Sequence, residues 1–436
     1  MNPIEEKLVY TSIEKDGIEY RVAKNVETND VTFTGFGLTS KPLPPKITLP
    51  DGITIIHACS LSECPCEEIV LPKSLRKIED YAFKDSNIKV ISIPDEVEVI
   101  GKGVFENCKN LSSVKMKQKY IPDYSFKDCK NLKDFNFSDK KEIGASAFAG
   151  TGLESIVLGE NIEEVGNMAF AECKNLLRAE LNYSFDYVPK GAFEKCTKLY
   201  DIILSKNIDT VGAFAFAGAG IEELNLTDFK KIEKFAFADC LYLKRAKIHA
   251  GTIEQFAISN CTALEELNIA YTEKAIGGTI SETDHIKYLK YSAPEKFLNY
   301  EIGSLKELEK LDISGTVIES SSTEFGIFEN LKEVVFPNTF YMFDDKLFNN
   351  SSIQKIIVGN ENPHFFFGFS KNTNIKEIVL TNKNVNVHVN ENEFKGIKVY
   401  MHCKNNLNED ILNSGADIED LDEVNFRNLN RIIQVI

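Results

Sequence analysis

The chain has 436 residues, of which 43% are hydrophobic and 27% charged, a balance typical of a folded protein. Its formal net charge of −16 argues against nucleic acid or an anionic membrane surface as a partner, because both repel a negatively charged protein. No stretch reaches the roughly 18 apolar residues of a membrane-spanning helix, and the first residues lack the pattern of a secretory leader. We therefore expect no membrane insertion and, on this criterion alone, a cytoplasmic location.

Residues 1–43 precede the repetitive part of the chain and predict an N-terminal cap. Alternating side chains at Leu8–Tyr10 and Ile18–Val22 are typical of strands, and the pair Asp16-Gly17 between them is a turn signal. We therefore expect a β-hairpin at the first end of the fold.

Residues 44–403 repeat with a period of 21 to 23 residues. Each unit has an opening position that is followed by apolar residues three and five places later, as Leu153 is followed by Ile156 and Leu158. This spacing of two predicts a short strand, whose residues at places two and four point the other way. The 17 opening positions are 44, 66, 88, 111, 132, 153, 176, 199, 221, 243, 264, 286, 308, 331, 353, 375 and 396.

Three further columns recur in many units up to about residue 270. A second apolar site is followed five residues later by a Phe column, and most of these Phe residues are preceded by Ala: Phe83, Phe105, Phe126, Phe148, Phe170, Phe193, Phe216 and Phe237. A Cys column comes three residues after the Phe: Cys64, Cys108, Cys129, Cys173, Cys196, Cys240 and Cys261. One unit cannot bury both its strand face and its Phe, whereas stacked units can, so we predict a β-rich solenoid with a parallel sheet over residues 44–403.

The last segment, residues 404–436, is acidic. Its apolar positions at Ile411, Ile418, Leu421 and Phe426 predict a helical cap at the second end of the solenoid.

Two stretches of the repeat resemble the BspA-like leucine-rich repeat. They are Ile93–Val114, which reads IPDEVEVIGKGVFENCKNLSSV, and Val165–Leu176, which reads VGNMAFAECKNL. The resemblance covers about residues 44–270 and continues in weaker form to about residue 403. It implies a right-handed solenoid with a parallel β-sheet on its concave face and no catalytic residues. Members are frequent on bacterial and protist surfaces and several adhere to host matrix proteins, so the resemblance implies cell-surface adhesion.

One cluster has the residue types of a metal site: His57, Cys59, Cys64 and Cys66. The repeat places Cys64 in the Cys column and Cys66 at an opening position, and both positions belong to the core. We therefore favour a structural role and keep metal binding as the weaker alternative.

The Cys column allows a second alternative, disulfides between neighbouring units, with Cys108/Cys129, Cys173/Cys196 and Cys240/Cys261 as the pairs. Thr151 and Ala219 replace Cys without breaking the repeat, so we prefer reduced, buried thiols.

The motifs of the common catalytic and nucleotide-binding sites are missing from the sequence. We therefore expect no enzymatic activity, no catalytic residues and no cofactor.

Two outward-facing patches are candidates for binding. The first is an apolar stripe at the fourth place of the last four units, formed by Val335, Ile357, Val379 and Tyr400. Strand propensity, or cover from the C-terminal segment, would also explain it. The second patch is basic and aromatic, and solubility would also explain it: Arg178, Arg245, Lys247, Tyr288 and Lys290.

These patterns predict a non-enzymatic, protein-binding solenoid, either an adhesin-like surface protein or a scaffold. The expected partner is a protein, with host or extracellular-matrix proteins as one class, and not nucleic acid. A structural element that self-assembles through its C-terminal units, and a metal-binding protein that uses residues 57–66, are the alternatives.

Overall fold

A computed structural model describes residues 8–37, 42–275, 279–293, 305–316, 329–337, 342–344, 352–359, 364–368, 374–381, 386–402 and 407–421. The chain forms two compact units, residues 1–221 with 235–240 and residues 222–234 with 241–436. Over these described residues the fold is a parallel-sheet β-solenoid of about 15 turns with almost no helix. The predicted fold class is therefore confirmed, and the predicted count of 17 units is approximate.

The first unit begins with three strands, β1 (Leu8–Lys15), β2 (Ile18–Asn25) and β3 (Val31–Phe36). β1 and β2 pair antiparallel over all eight residues, in a hairpin around the predicted turn. Asp16 and Gly17 have φ angles of 53° and 73°, which fit the type I′ turn that suits the twist of a two-residue hairpin.

The hairpin covers the end of the core with aromatic rings. Tyr20 and Phe33 are fully buried, and the ring of Phe36 lies 5.8 Å from that of Tyr20 and 5.3 Å from that of Phe33. β3 is antiparallel to β2, but it is parallel to the next strand of its sheet. It therefore joins the antiparallel hairpin to the parallel solenoid.

Each coil of the first unit contributes two short strands. In chain order these are β4 (Lys46–Thr48), β5 (Ile55–Ile56), β6 (Glu68–Val70), β7 (Lys77–Ile78), β8 (Val90–Ser92), β9 (Val99–Ile100), β10 (Ser113–Lys115), β11 (Tyr120–Ile121), β12 (Glu142–Ile143), β13 (Ser155–Leu158), β14 (Glu164–Val165), β15 (Arg178–Leu181), β16 (Tyr187–Val188), β17 (Asp201–Leu204) and β18 (Thr210–Val211). The strands at the opening positions form the parallel sheets β4-β6-β8-β10 and β13-β15-β17. The two-residue strands lie at the second apolar site and pair with the two-residue strands of neighbouring coils, as in β5-β7-β9 and β11-β12-β14.

One coil of the first unit breaks the row of opening strands. Phe135 and Phe137 occupy the two apolar places between β10 and β13, yet residues 134–137 form no strand. Their rings pack 4.9 Å and 5.1 Å from Phe148. We attribute the break to their size, because the neighbouring coils carry aliphatic residues at these places.

The Phe column forms a continuous stack through the first unit. From Phe83 to Phe237, the centroids of consecutive rings lie 5.1 to 5.6 Å apart. All of these rings are at most 1% exposed. Offset stacking of this kind adds about 0.5–1.5 kcal/mol per pair to the gain from burial, so the column is a main stabilising element.

Each Phe of the column lies between two residues with left-handed backbone. The residues two places before and two places after Phe105, Gly103 and Asn107, have φ angles of 60°. Ser146 and Gly150 flank Phe148 in the same way, with φ angles of 52° and 70°. This recurring turn brings the chain around the ring, and it explains why Gly, Asn and Asp are frequent at these places.

The second unit continues with longer strands and one helix. In chain order these are β19 (Glu223–Ile232), β20 (Arg245–Ile253), β21 (Glu266–Ala275), β22 (Tyr288–Ser292), β23 (Lys310–Asp312), β24 (Glu333–Phe336), β25 (Met342–Asp344), β26 (Lys355–Val358), β27 (His364–Gly368), β28 (Glu377–Leu380), β29 (Asn386–His388), β30 (Lys398–Met401), α1 (Glu409–Asn413) and β31 (Asp417–Asp420). Within this unit β19-β20-β21-β22-β23-β24-β26-β28-β30-β31 form one parallel sheet and β25-β27-β29 another. In β19 to β21 the two strands of a coil are joined into one strand of nine or ten residues, with a bulge in the register.

The segment after residue 403 contains both a helix and a strand. Helix α1 starts after Asn408, whose side chain accepts a hydrogen bond from the backbone N–H of Ile411 at 3.0 Å. β31 then pairs parallel with β30 and extends the sheet. Among the described residues, no helix combines the length and the apolarity that crossing a membrane requires.

Candidate functional site: a groove on the sheet of the second unit

The outward side chains of β19 to β22 form a polar surface in two rows. The strand register places Glu223, Arg245, Glu266 and Tyr288 side by side in one row, and Asn225, Lys247, Asn268 and Lys290 in the other. Neighbouring strands of a sheet lie about 4.8 Å apart, so side chains within a row are near neighbours.

These rows enclose an open groove with a volume of about 530 Å³. Its floor includes Leu224, Ala246 and Leu267, which point toward the core. A groove with an apolar floor and polar walls can hold an extended segment or a side chain of another protein.

Most charges around the groove are already paired. Arg245 forms an ion pair with Glu223, and Lys290 Nζ lies 3.2 Å from Asp312 Oδ2. Asp312 is only 1% exposed. Lys247 differs, because its side chain is exposed and has no ion pair within the described part of the chain.

Tyr288 is the aromatic residue of the groove. The Lys310 ammonium lies 6.0 Å from the centre of its ring. Burial is the main reason why the pKa of Tyr288 lies well above its usual value, and the nearby carboxylates of Asp312 and Glu266 raise it further. The phenol therefore keeps its proton at neutral pH and can donate a hydrogen bond to a partner.

Four residues of the predicted basic and aromatic patch line this groove: Arg245, Lys247, Tyr288 and Lys290. Arg178, the fifth, lies in the first unit, where its guanidinium is 3.1 Å from Asp201 and 3.4 Å from Glu180. Four further residues line the groove and were not among the predicted binding residues, although their outward places in the repeat could have identified them: Glu223, Glu266, Asn225 and Asn268.

The predicted apolar stripe is not exposed. Val335, Ile357, Val379 and Tyr400 are adjacent in the sheet, as expected, but they are only 8%, 6%, 0% and 7% exposed. Leu421, directly after β31, belongs to the same buried cluster. The expected exposure of the stripe is therefore wrong. Its burial, in which Leu421 of the C-terminal segment takes part, fits the alternative explanation of cover by that segment. A binding role for these four residues stays a prediction.

The possible metal cluster is not assembled. His57 Nδ1 lies 2.8 Å from Glu79 Oε2, Cys59 is exposed, and Cys64 and Cys66 are buried. A hydrogen bond between the two buried thiols lowers the pKa of Cys64 and raises that of Cys66. In the part of the chain that the structure describes, no three His, Cys, Asp or Glu side chains are placed to hold a metal ion.

The thiols of the Cys column are hydrogen-bonded to backbone. Cys129 Sγ donates to the carbonyl of Phe105 at 3.1 Å, and Cys173 Sγ donates to that of Phe148 at 3.1 Å. Each acceptor is the Phe of the preceding coil. Cys108, Cys129, Cys173, Cys196, Cys240 and Cys261 are buried, reduced cysteines in this structure.

Comparisons with solved structures found leucine-rich-repeat and other bacterial proteins that are similar to this chain. A leucine-rich-repeat protein from Bacteroides ovatus is 15% identical, covers 97% of this chain and 100% of its own, and has a TM-score of 0.38. A leucine-rich cell-surface protein from Faecalibacterium prausnitzii is 18% identical over 83% of this chain and 95% of its own, with a TM-score of 0.39. The pneumococcal vaccine antigen PcpA is 16% identical over 94% and 98%, with a TM-score of 0.41.

No curated protein matches the sequence. The model of the BspA-type leucine-rich-repeat region matches residues 41–141, 119–244, 227–302 and 300–400, so the chain belongs to the BspA-type leucine-rich-repeat family.

Proposed function

We propose that this chain is a non-enzymatic binding protein and that the groove on β19 to β22 holds a segment of a protein partner. The observation that carries the proposal is the groove itself, which combines the aromatic Tyr288 with Lys247, a lysine that has no ion pair among the described residues, on one parallel sheet. Leucine-rich-repeat proteins generally bind other proteins, which supports the same reading.

The composition of the groove fits a protein partner. Tyr and Arg at the centre of a contact surface are among the residues that contribute most to binding energy, and the groove contains Tyr288 and Arg245. Asn225 and Asn268 flank Lys247 in the register and offer both donors and acceptors to a partner's backbone. The strand pairing holds the backbone of these residues in register, so binding does not have to order the backbone of the site.

Variants of the groove test this function. The full chain is measured by biolayer interferometry against a panel of purified extracellular-matrix proteins. We expect at least one to bind, and Tyr288→Ala or Lys247→Glu to weaken that binding by about tenfold or more, the effect of losing a residue central to an interface. Lys174→Glu, an exposed lysine in the first unit, is the control with the same charge change and leaves binding unaltered.

Two results would contradict the proposal. If a matrix protein binds equally well to wild type and to both groove variants, the groove is not the site. If none of the panel binds, the matrix-adhesion form of the proposal is wrong.

The location of the protein decides between adhesin and scaffold. Intact source cells are treated with protease, and this chain is followed beside a cytosolic control. Digestion of the chain alone supports surface adhesion, whereas protection until lysis supports an intracellular scaffold.

A further inference from the structure

Strand β1 lies at the edge of its sheet. Among the described strands it pairs with β2 alone. Its first residues are well exposed, with Leu8 at 37%, Val9 at 53% and Tyr10 at 73%. An edge strand of eight residues presents a row of backbone groups that can bind a further strand.

This edge lacks the features that usually prevent strand pairing. Residues 8–13 read LVYTSI, with no charge, Pro or Gly, and β1 has no bulge. By contrast β31 reads DIED and carries three acidic residues, as protected edges do. Glu14 and Lys15 leave β1 neutral in a chain whose net charge is −16, so β1 is suited to approach another copy.

The hairpin turn determines which backbone groups face outward. Lys15 and Ile18 flank a two-residue turn, and residues at these places exchange both hydrogen bonds. Along an antiparallel strand, the backbone N–H and C=O groups of successive residues point alternately toward the neighbouring strand and away from it. Those of Tyr10 and Ser12 therefore point away from β2.

We propose that β1 pairs antiparallel with β1 of a second copy of this chain. The two-fold axis passes beside Thr11, so that Thr11 faces Thr11, Val9 faces Ile13, and Tyr10 forms the backbone pair with Ser12. This register places β-branched residues opposite each other on one face, the pairing that stabilises antiparallel strands. The interface is the same surface on both copies, as a two-fold dimer requires.

Charges at the axis test the proposal. The oligomeric state of the full chain is measured by sedimentation equilibrium from micromolar to millimolar concentration. We expect a reversible wild-type dimer and, for both Thr11→Lys and Thr11→Glu, dimerisation weakened by about tenfold or more, because like charges face each other. An equimolar mixture of the two variants restores the dimer, because Lys then faces Glu.

Thr262→Lys, an exposed threonine of the second unit, is the control and leaves the dimer unchanged. Thermal unfolding followed by circular dichroism shows that each variant is folded. A wild-type monomer at all concentrations, unchanged dimerisation of Thr11→Lys, or a mixture of the two variants that stays monomeric would each overturn the proposal.

Discussion

At the scale of single residues, the cysteines differ in their exposure to solvent. Cys59 is exposed, whereas Cys108 and Cys129 are fully buried and donate hydrogen bonds to backbone carbonyls. Burial raises the pKa of Cys108 to about 12 and raises that of Cys129 well above its usual value. These buried thiols therefore stay protonated and are poor nucleophiles.

We predict that a thiol reagent such as Ellman's reagent labels Cys59 rapidly in the native chain and labels the Cys column only after unfolding. The measurement is made on Cys403→Ser, so that only the nine described cysteines are scored.

Cys59→Ser is the matched control and removes the fast phase. Rapid labelling of column thiols in the folded protein would contradict this view of the column.

At the scale of an element, the turn around each buried Phe depends on two left-handed residues. Ser146 is one of them, with a φ of 52°. A residue other than Gly costs about 1–2 kcal/mol in this conformation, because its Cβ approaches the following carbonyl, and β-branching adds strain.

We predict that Ser146→Val lowers the free energy of unfolding by about 1 kcal/mol or less, because Ser already has a Cβ and only the β-branching of Val adds strain. Ser155→Val is the control, since Ser155 is an exposed residue of β13, where β-branched residues are favoured. Urea unfolding of both variants measures the difference. Equal stability of the two variants would show that the turn tolerates strain at this place.

The sequence predicted the parts of the coil that repeat in side-chain type. The opening strands and the Phe column lie where their apolar periodicity placed them, as Ile156 and Phe148 show. The left-handed turns were missed, because Ser146 and its equivalents share a backbone conformation but no single residue type. Burial of Val379 depends on contacts between distant segments, which a local pattern does not contain.

The candidate site could be predicted only in part. The residues of the groove were found through their outward places in the repeat, as with Lys247 and Tyr288. Whether such residues are paired depends on neighbouring coils: Arg245 is neutralised by Glu223 and Lys290 by Asp312.

At the scale of the whole molecule, the net charge is strongly negative, yet positive and negative side chains alternate in an ordered row in the second unit. The residues just after the opening positions alternate in sign from coil to coil: Glu222, Lys244, Glu265, Lys287, Glu309 and Lys332. Three pairs are in contact, with N–O distances of 3.1, 3.1 and 2.9 Å. The hydrogen bond to Glu265 raises the pKa of Lys287.

Reversing one charge tests this alternation. We predict that Lys244→Glu, which places three carboxylates in a row, lowers the thermal midpoint by a few degrees at low salt. The effect shrinks at high salt, because the screening length falls from about 10 Å at 0.1 M to about 3 Å at 1 M. Lys174→Glu, which changes the net charge equally, is the control. The same loss in both variants at both salt concentrations would mean that net charge, and not the row, is responsible.

The in-register pairing of coils determines how the length of such a chain can change. Each strand of a sheet pairs with the strands of the coils before and after it, as β15 pairs with β13 and β17, and no contact there depends on the position of a coil in the series. Gain or loss of one full period moves everything beyond it by a single strand spacing of about 4.8 Å and leaves every column in phase. Loss of a few residues instead puts a Phe where a left-handed turn belongs. The gene can therefore gain or lose whole periods elsewhere in the solenoid. The strands β19 to β22, which form the groove, stay paired with each other.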